Sequence, residues 1–324
     1  MQCKYKIHRV CLCCMSVYLI IVVLLALYCY DRRLFEARHC ENEADRWVAN
    51  ATSPLYNIAV VTVADDYIGS DTVLAAVDNK KQYAAVRGYS FITPTASERQ
   101  QLTGGSDPKR AKFALISKVI EKYDAVLWVD IDAVVMRYDI DMNFLLQEMI
   151  INDKYLAIAP DASVDDMLNS GVLLIRNGGP MKLFLQAFAK AHTMIMLCKS
   201  LVICPPGLYD QSIIAFLTGE WPTCAWYFKL WPFAPVHPNH KHFKKLIHEV
   251  PACIFNAVPE EATSRSFIQH CYGGGVVDKL SPMSRRNNKG KGKCVNFLLD
   301  QSMADLEKND EYYSHTRTID TTTI

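Results

Sequence analysis

The sequence predicts an α/β domain built on a largely parallel sheet and preceded by one N-terminal transmembrane helix. Two observations predict this fold class. Short apolar, β-branched runs alternate with segments of helical spacing, which is typical of α/β sheets. Ahead of them, residues 10–30 form an uncharged apolar stretch. The 324 residues, half of them hydrophobic, suffice for a large core, and the net charge of +1 argues against nucleic-acid binding.

The apolar stretch 10–30 predicts an uncleaved signal anchor. A helix of its 21 residues covers the ~30 Å hydrocarbon core of a bilayer. A cleaved signal peptide is the alternative, but its apolar region would be only ~7–15 residues long. The stretch is preceded by the basic residues Lys4, Lys6 and Arg9. These charges predict that the tail 1–9 lies in the cytoplasm. The rest of the chain is then expected in the lumen or outside the cell.

The polar residues 31–55 predict a luminal stem with a glycosylation sequon at Asn50-Ala51-Thr52. Five of the twelve cysteines lie in or beside the anchor, as palmitoylation sites or as small apolar fillers. The other seven are scattered without a CxxC pair, which argues against a zinc site and is compatible with disulfides. Because seven is odd, Cys40 is a candidate for an intermolecular bond in a homo- or hetero-oligomer.

Residues 56–282 predict one catalytic domain. Strands are expected in the segments 57–66, 87–94, 124–130, 155–161 and 171–177. Helices are expected in the segments 71–86, 107–123, 181–196 and 211–219, the last one capped by Asp210. Residues 283–324 begin with a run rich in Gly, Asn and Lys and predict a flexible C-terminal segment.

An aspartate triplet, Asp-Ile-Asp, occurs twice. The copy at 130–132 directly follows an unbroken apolar run, which is typical of a fully buried parallel strand. Ligands bind at the carboxyl ends of such strands, and two carboxylates there suit Mn²⁺ or Mg²⁺. The copy at 139–141 precedes a helical pattern, so Asp141 fits a helix N-cap. We predict that Asp130 and Asp132 bind a metal ion and that the second triplet is structural.

A divalent ion at this position has a specific use in sugar transfer. A nucleotide-sugar donor has a diphosphate leaving group, which gains negative charge as its bond to the sugar breaks. A divalent ion stabilises that charge as a Lewis acid. A single-pass type II anchor, a luminal α/β domain and an aspartate pair at a strand end together predict a Golgi glycosyltransferase.

Six motifs follow one another between residues 56 and 275: "VVTVADD", "NKKQYAAVRGYSF", "KRAKFALISKVIEKYDAVLWVDIDAVVM", "LNSGVLLIRN", "YDQSIIAFL" and "IFNAVP". In this order the sequence resembles glycosyltransferase family 34, the fungal α-galactosyl- and α-mannosyltransferases with the plant xyloglucan xylosyltransferases. The resemblance implies a GT-A fold, a mixed, mostly parallel sheet with a Rossmann-like nucleotide-binding half. It also implies retaining transfer of a hexose or pentose from a UDP- or GDP-linked donor with Mn²⁺ or Mg²⁺.

The resemblance implies roles for individual residues. The metal ligands would be Asp130, Asp132 and His270. The donor nucleotide, diphosphate and sugar would be bound by Thr62, Asp65, Lys112, Asn169 and Ser170. The catalytic residues beneath the anomeric carbon would be Asp210 and Gln211. Several of these roles have an ordinary alternative: a solvated helix face for Lys112, a turn before a strand for Asn169 and Ser170, and helix capping for Asp210 and Gln211.

The expected acceptor is a polysaccharide or a glycoprotein glycan. The main alternative is a catalytically degenerate, membrane-anchored subunit that binds sugars or a partner transferase. The sequence opposes it, because the aspartate pair, the Asp-Gln pair and the late histidine occur together. A metal-dependent hydrolase is a further alternative, but the sequence contains no HExxH motif.

Overall fold

The computed structural model describes residues 46–48, 55–64, 70–103, 109–161, 168–200, 210–220, 237–259, 262–271 and 294–303. The predicted anchor at 10–30 and the sequon at Asn50 lie outside these residues. Among the helices that are described, none is both long and apolar enough to cross a membrane.

Strands and helices alternate along the described chain. The strands are β1 (Ile58–Val61), β2 (Ser90–Ile92), β3 (Ala125–Val129), β4 (Ala133–Val135), β5 (Leu156–Pro160), β6 (Leu168–Arg176), β7 (Ile247–Glu249) and β8 (Ile268–His270). The helices are α1 (Ser70–Arg87), α2 (Ala96–Thr103), α3 (Lys109–Val119), α4 (Met142–Ile151), α5 (Gly179–Ser200), α6 (Asp210–Thr218), α7 (His240–Lys245), α8 (Ala252–Phe255) and α9 (294–303).

Six strands form the main sheet in the order β2-β1-β3-β6-β5-β7. The pairs β1–β2, β1–β3 and β5–β7 are parallel, whereas β6 runs antiparallel to both of its neighbours. The sheet is therefore mixed and mostly parallel, as the sequence predicts. Because β6 is reversed, its first residues lie at the same edge of the sheet as the last residues of β1, β3 and β5.

A second, two-stranded sheet pairs β4 with β8 in antiparallel orientation. Its register places Ala133 opposite His270. The main chain reinforces this pairing, because the N–H of Cys271 donates to the carbonyl oxygen of Asp132 at 2.9 Å. This small sheet therefore brings the predicted histidine ligand beside the first aspartate triplet.

The main sheet has a hydrophobic core on each face. In β3, Leu127 and Val129 belong to one core, and Val126 and Trp128 belong to the other. All five residues of β3 are buried, which an unbroken apolar run predicts for a strand covered on both sides. Helices α1 and α4 contribute to the first core, and α3, α5 and α6 to the second.

Helix α9 differs from the predicted flexible segment 283–324. Its residues Val295 and Leu298 are buried in a third apolar cluster with Val73 of α1. A disulfide joins Cys294, at the start of α9, to Cys271, which follows β8, across a sequence separation of 23. Closing a loop of that length contributes roughly 3 kcal/mol to stability. The sequence did not predict this helix, because its apolar face packs against a helix some two hundred positions away.

The predicted stem also includes a residue of the core. Trp47 is 1% exposed and packs edge-on against the ring of Phe255. Its carbonyl oxygen accepts a hydrogen bond from the N–H of Asp141 at 2.9 Å. At least this part of the segment 31–55 therefore belongs to the folded domain.

Candidate active site

The candidate site lies at the edge of the main sheet where β1, β3 and β5 end and β6 begins. The main-chain N–H of Asp130, directly after β3, donates to the carbonyl oxygen of Gly171 in β6 at 2.8 Å. Thr62 follows β1, and Asp161 follows β5. This arrangement brings the predicted site residues Thr62 and Asp130, together with Asp161, to one edge, which is where open α/β sheets bind ligands.

Asp130, Asp132 and His270 form a group that could hold a metal ion. One ligand atom of each residue lies within 4.8 Å of those of the other two. Asp132 and His270 are 3% exposed, and the Nε2 atom of His270 lies 3.0 Å from Oδ1 of Asp132. Two hard carboxylate ligands and an imidazole nitrogen form a donor set that suits Mn²⁺ or Mg²⁺. The geometry therefore brings together all three residues of the predicted ligand set.

The ring of His270 is confined by two neighbours. A Cβ atom at Gly171 would lie 2.1 Å from Cε1 and 2.5 Å from Nδ1 of that ring. Only glycine leaves room for the imidazole at this position. Nδ1 also lies 2.9 Å from Oδ1 of the buried Asn256. The glycine in the motif "LNSGVLLIRN" is thus required by the close packing of the His270 ring.

The second aspartate triplet has structural contacts. Asp141 is the N-cap of α4, and its side chain accepts a hydrogen bond from the N–H of Asn143 at 2.8 Å. The hydroxyl of Tyr89 also donates to Asp141. Asp139 forms an ion pair with Arg137. The prediction that Asp141 caps a helix is confirmed.

Lys112 lies between the aspartate triplet and α6. Its Nζ atom is 3.0 Å from Oδ1 of Asp130 and 2.7 Å from Oδ2 of Asp210. It also donates to the carbonyl oxygen of Ser170 at 3.0 Å. Burial lowers the pKa of Lys112, but the two carboxylates outweigh burial and raise it above its ordinary value. The lysine is a buried cation of the site, and the alternative of a solvated helix face is wrong.

Asp210 and Gln211 open helix α6 at the same edge of the sheet. The hydroxyl of Ser170 donates to Oδ2 of Asp210 at 2.7 Å. The Nε2 atom of Gln211 donates to Oδ2 of Asp161 at 3.0 Å, and Nδ2 of Asn169 donates to the same oxygen at 3.1 Å. The structure thus connects four predicted site residues to one another, either directly or through Asp161.

Asp161 was not predicted from the sequence. It is 8% exposed and holds the amides of Gln211 and Asn169. The only sequence signal is an acidic residue directly after a buried strand, "LAIAPD", which is the same context that identified the first triplet. A single carboxylate in that context is too common in loops to be assigned a role.

The predicted nucleotide-binding residues are described only in part. Thr62 is buried, and its main-chain N–H donates to the carbonyl oxygen of Ile92 at 3.1 Å. Its buried hydroxyl makes no hydrogen bond with the part of the chain that the structure describes. Asp65 lies outside the described residues.

A second buried lysine, Lys80 of α1, lies behind the first triplet and was not predicted. Its Nζ atom donates to the carbonyl oxygens of Ala133 at 2.6 Å, Ala76 at 3.1 Å and Ile131 at 3.4 Å. Burial lowers its pKa to about 7, against the opposing effect of the two carboxylates of the triplet. Lys80 therefore ties the loop between the two aspartates to α1.

Residues 56–162 match the model of the galactosyl transferase GMA12/MNN10 family. The match confirms the family recognised from the sequence over a segment that includes Lys112, Asp130, Asp132 and Asp161. No curated protein matches the chain.

Several solved glycosyltransferase structures are similar to the chain. One is a glycosyltransferase involved in the glycosylation of the major capsid of PBCV-1, which is 16% identical in sequence. The alignment covers 71% of this chain and 98% of that chain, with a TM-score of 0.39. The galactosyltransferase LgtC, solved with donor and acceptor sugar analogs, has 15% identity, coverages of 75% and 95%, and a TM-score of 0.38. Mouse xyloside xylosyltransferase 1 has 9% identity, coverages of 67% and 98%, and a TM-score of 0.35.

Proposed function

We propose that the chain catalyses a metal-dependent, retaining glycosyl transfer, because its residues 56–162 match the model of the galactosyl transferase GMA12/MNN10 family. It would move a hexose or pentose from a UDP- or GDP-linked donor to a glycan, on a GT-A fold. The observation that carries the proposal is the convergence of Asp130, Asp132 and His270 beside the buried Lys112. A divalent ion held by these ligands, together with the Lys112 ammonium, would supply the positive charge that an anionic leaving group needs.

The metal site is assigned to Asp130, Asp132 and His270. Their chemistry fits Mn²⁺ or Mg²⁺, since two carboxylates and a neutral imidazole supply negative charge and hard donors within 4.8 Å of one another. An ion held there supplies Lewis-acid stabilisation to the departing nucleoside diphosphate. The indole N–H of Trp128 donates to Oδ1 of Asp130 at 2.6 Å and helps to set the position of that carboxylate.

Lys112 supplies a fixed positive charge for the donor diphosphate. It is held by Asp130 on one side and Asp210 on the other, so it lies between the metal ligands and the proposed catalytic pair. Its raised pKa keeps it charged throughout the physiological range. A charge that is already in position requires no reorganisation when the leaving group departs.

Asp210, Gln211, Asn169 and Ser170 are assigned to the sugar. The amide of Gln211 donates through Nε2 to Asp161. The amide oxygen of Gln211, Oε1, carries partial negative charge and can therefore stabilise a positively charged anomeric carbon. The Oδ2 atom of Asp210 accepts hydrogen bonds from Ser170 and from Lys112, which fixes the carboxylate as an acceptor for sugar hydroxyls.

The functional test measures release of the nucleotide from UDP- and GDP-sugars by the full-length protein in detergent, with a glycan acceptor mixture. We expect release with Mn²⁺ present and its loss after chelation, because charge on the leaving group is then uncompensated. The anomeric configuration of the first product, read by NMR, tests retention. Turnover that persists without a divalent ion would contradict the metal role. Sugar binding without turnover of any donor would favour the degenerate-subunit alternative.

We also propose that the chain is a type II Golgi membrane protein with a luminal catalytic domain. The sequence of residues 10–30 and the disulfide Cys271–Cys294 support this location, because such bonds persist in oxidising compartments. Peptide-N-glycosidase should increase the mobility of the membrane-expressed protein, and Asn50→Gln should abolish that shift. A C-terminal epitope that antibodies reach from the cytoplasm would contradict the luminal topology.

A further inference from the structure

Asn256 and His270 form a buried pair on the side of the imidazole that faces away from Asp132. Asn256 is fully buried and His270 is 3% exposed. The Oδ1 atom of Asn256 lies 2.9 Å from Nδ1 of His270, and the other ring nitrogen, Nε2, lies 3.0 Å from Oδ1 of Asp132. The two ring nitrogens therefore have different partners, an amide at Nδ1 and the metal-binding carboxylate at Nε2.

A histidine that ligates a metal ion must offer a lone pair. Since Nε2 is the nitrogen beside Asp132, the proton of the neutral ring has to be on Nδ1. A proton on Nδ1 needs an acceptor, because a buried donor without one is destabilising. Oδ1 of Asn256 is the acceptor at that position.

We propose that Asn256 is a positioning residue that keeps His270 in the tautomer with its Nε2 lone pair directed at the metal. The inference rests on the proposed metal site at Asp130, Asp132 and His270. Asn256 touches neither the ion nor the donor and acts only through His270. Partners of this kind set both the orientation and the basicity of a ligating imidazole.

The main chain holds Asn256 in register with β8. Its own N–H donates to the carbonyl oxygen of Ala252 at 2.9 Å, which ends helix α8. The next residue, Ala257, donates to Ile268 at 3.0 Å and accepts from the N–H of His270 at 2.8 Å. The segment that carries the amide is thus bonded directly to the strand that carries the imidazole, so the side-chain contact has little freedom to shift.

An asparagine at position 256 can either accept a hydrogen bond from Nδ1 of His270 or donate one to it, whereas a side chain that only accepts cannot donate. Its buried Nδ2 atom has no hydrogen-bond partner within the described residues. If the amide turns over, Nδ2 donates to Nδ1 of His270, and the ring proton on Nε2 then donates to Asp132. The same residue therefore supports the tautomer that holds an ion and the tautomer that pairs with Asp132 before an ion binds. A carboxylate at this position would support only the first.

The test compares Mn²⁺ binding to the full-length protein by isothermal titration calorimetry for two matched variants, Asn256→Leu and Asn143→Leu. Asn143 is also buried, at 2% exposure, and its amide has structural partners only, namely Tyr56 and Asp141. We expect Asn256→Leu to weaken Mn²⁺ binding about 10–100-fold. We expect Asn143→Leu to lower the melting temperature but leave the Mn²⁺ dissociation constant of the folded protein unchanged.

A third variant, Asn256→Asp, keeps the acceptor and is expected to bind Mn²⁺ at least as tightly as the wild type. If Asn256→Leu does not fold, this variant carries the test, and a weakening of about tenfold or more overturns the proposal. Wild-type binding of Mn²⁺ that Asn256→Leu leaves unchanged overturns the positioning role while the proposed metal site stands. Failure of the wild-type protein to bind Mn²⁺ would refute the metal site itself, and this inference with it.

Discussion

Asp132→Asn is expected to lower the Mn²⁺-dependent turnover of the nucleotide-sugar donor roughly a thousandfold or more. The substitution removes a charged ligand and several kcal/mol of transition-state stabilisation while keeping the shape of the side chain. Asp130→Asn should have a similar effect, since its carboxylate belongs to the same group of ligand atoms. Turnover is measured with purified variants whose folding is checked by their melting temperatures.

The second triplet supplies the matched controls for that prediction. Asp141→Asn keeps a side-chain oxygen for the N-cap bond, so it should cost less than about 1 kcal/mol of stability with little change in turnover. Asp139→Asn loses an ion pair on a partly exposed side chain and should change less. An inactive Asp141→Asn beside an active Asp132→Asn would refute the assignment of the metal site to the first triplet.

The sequence predicted β3 and the residue type at its end because local information sufficed. An unbroken apolar run specifies burial on both faces of a strand, and all five residues of β3 are buried. The direction of β6 could not be predicted in the same way. Its apolar run is equally compatible with a parallel or an antiparallel neighbour, and direction depends on the path of the chain between strands. The reversed β6 is nevertheless what brings Ser170 beside Lys112.

The small sheet of β4 and β8 was missed for a different reason. Each strand has three residues, which is too short for the period-two pattern to be distinguished from a loop. Their pairing joins positions more than a hundred residues apart, so no local sequence pattern predicts it. His270 was therefore predictable only through the family resemblance, and its partner Asn256 only as part of a motif with no assigned role.

The burial of Lys112 was also beyond the reach of the sequence. Its helix carries basic neighbours, and a lysine among them is usually solvated. Only the folded chain shows that Asp130 and Asp210, from different parts of the sequence, surround its ammonium group. A buried lysine with two carboxylate partners contributes to stability as well as to the proposed catalysis. Its replacement is therefore expected to lower both the melting temperature and the turnover.

Lys112→Met is therefore expected to lower donor turnover at least a hundredfold and to lower the melting temperature. Removing the ammonium leaves two carboxylates without their cation, and breaking such a buried pair costs about 3–5 kcal/mol. That loss corresponds to a decrease in melting temperature on the order of 10 °C. The proposed charge for the donor diphosphate is lost at the same time, so turnover measured well below the melting temperature should still be low.

Lys118→Met is the control for this variant, because Lys118 is an exposed residue of the same helix. Replacing it should leave both the melting temperature and the turnover near their wild-type values, since exposed charges contribute little. Adding Asp210→Asn to Lys112→Met should recover part of the melting temperature, because one uncompensated carboxylate is then neutral. It should not recover turnover, because the cation for the leaving group is still missing. If Lys112→Met kept wild-type turnover despite its lower melting temperature, the lysine would be a structural ion-pair partner only, and its role at the diphosphate would be refuted.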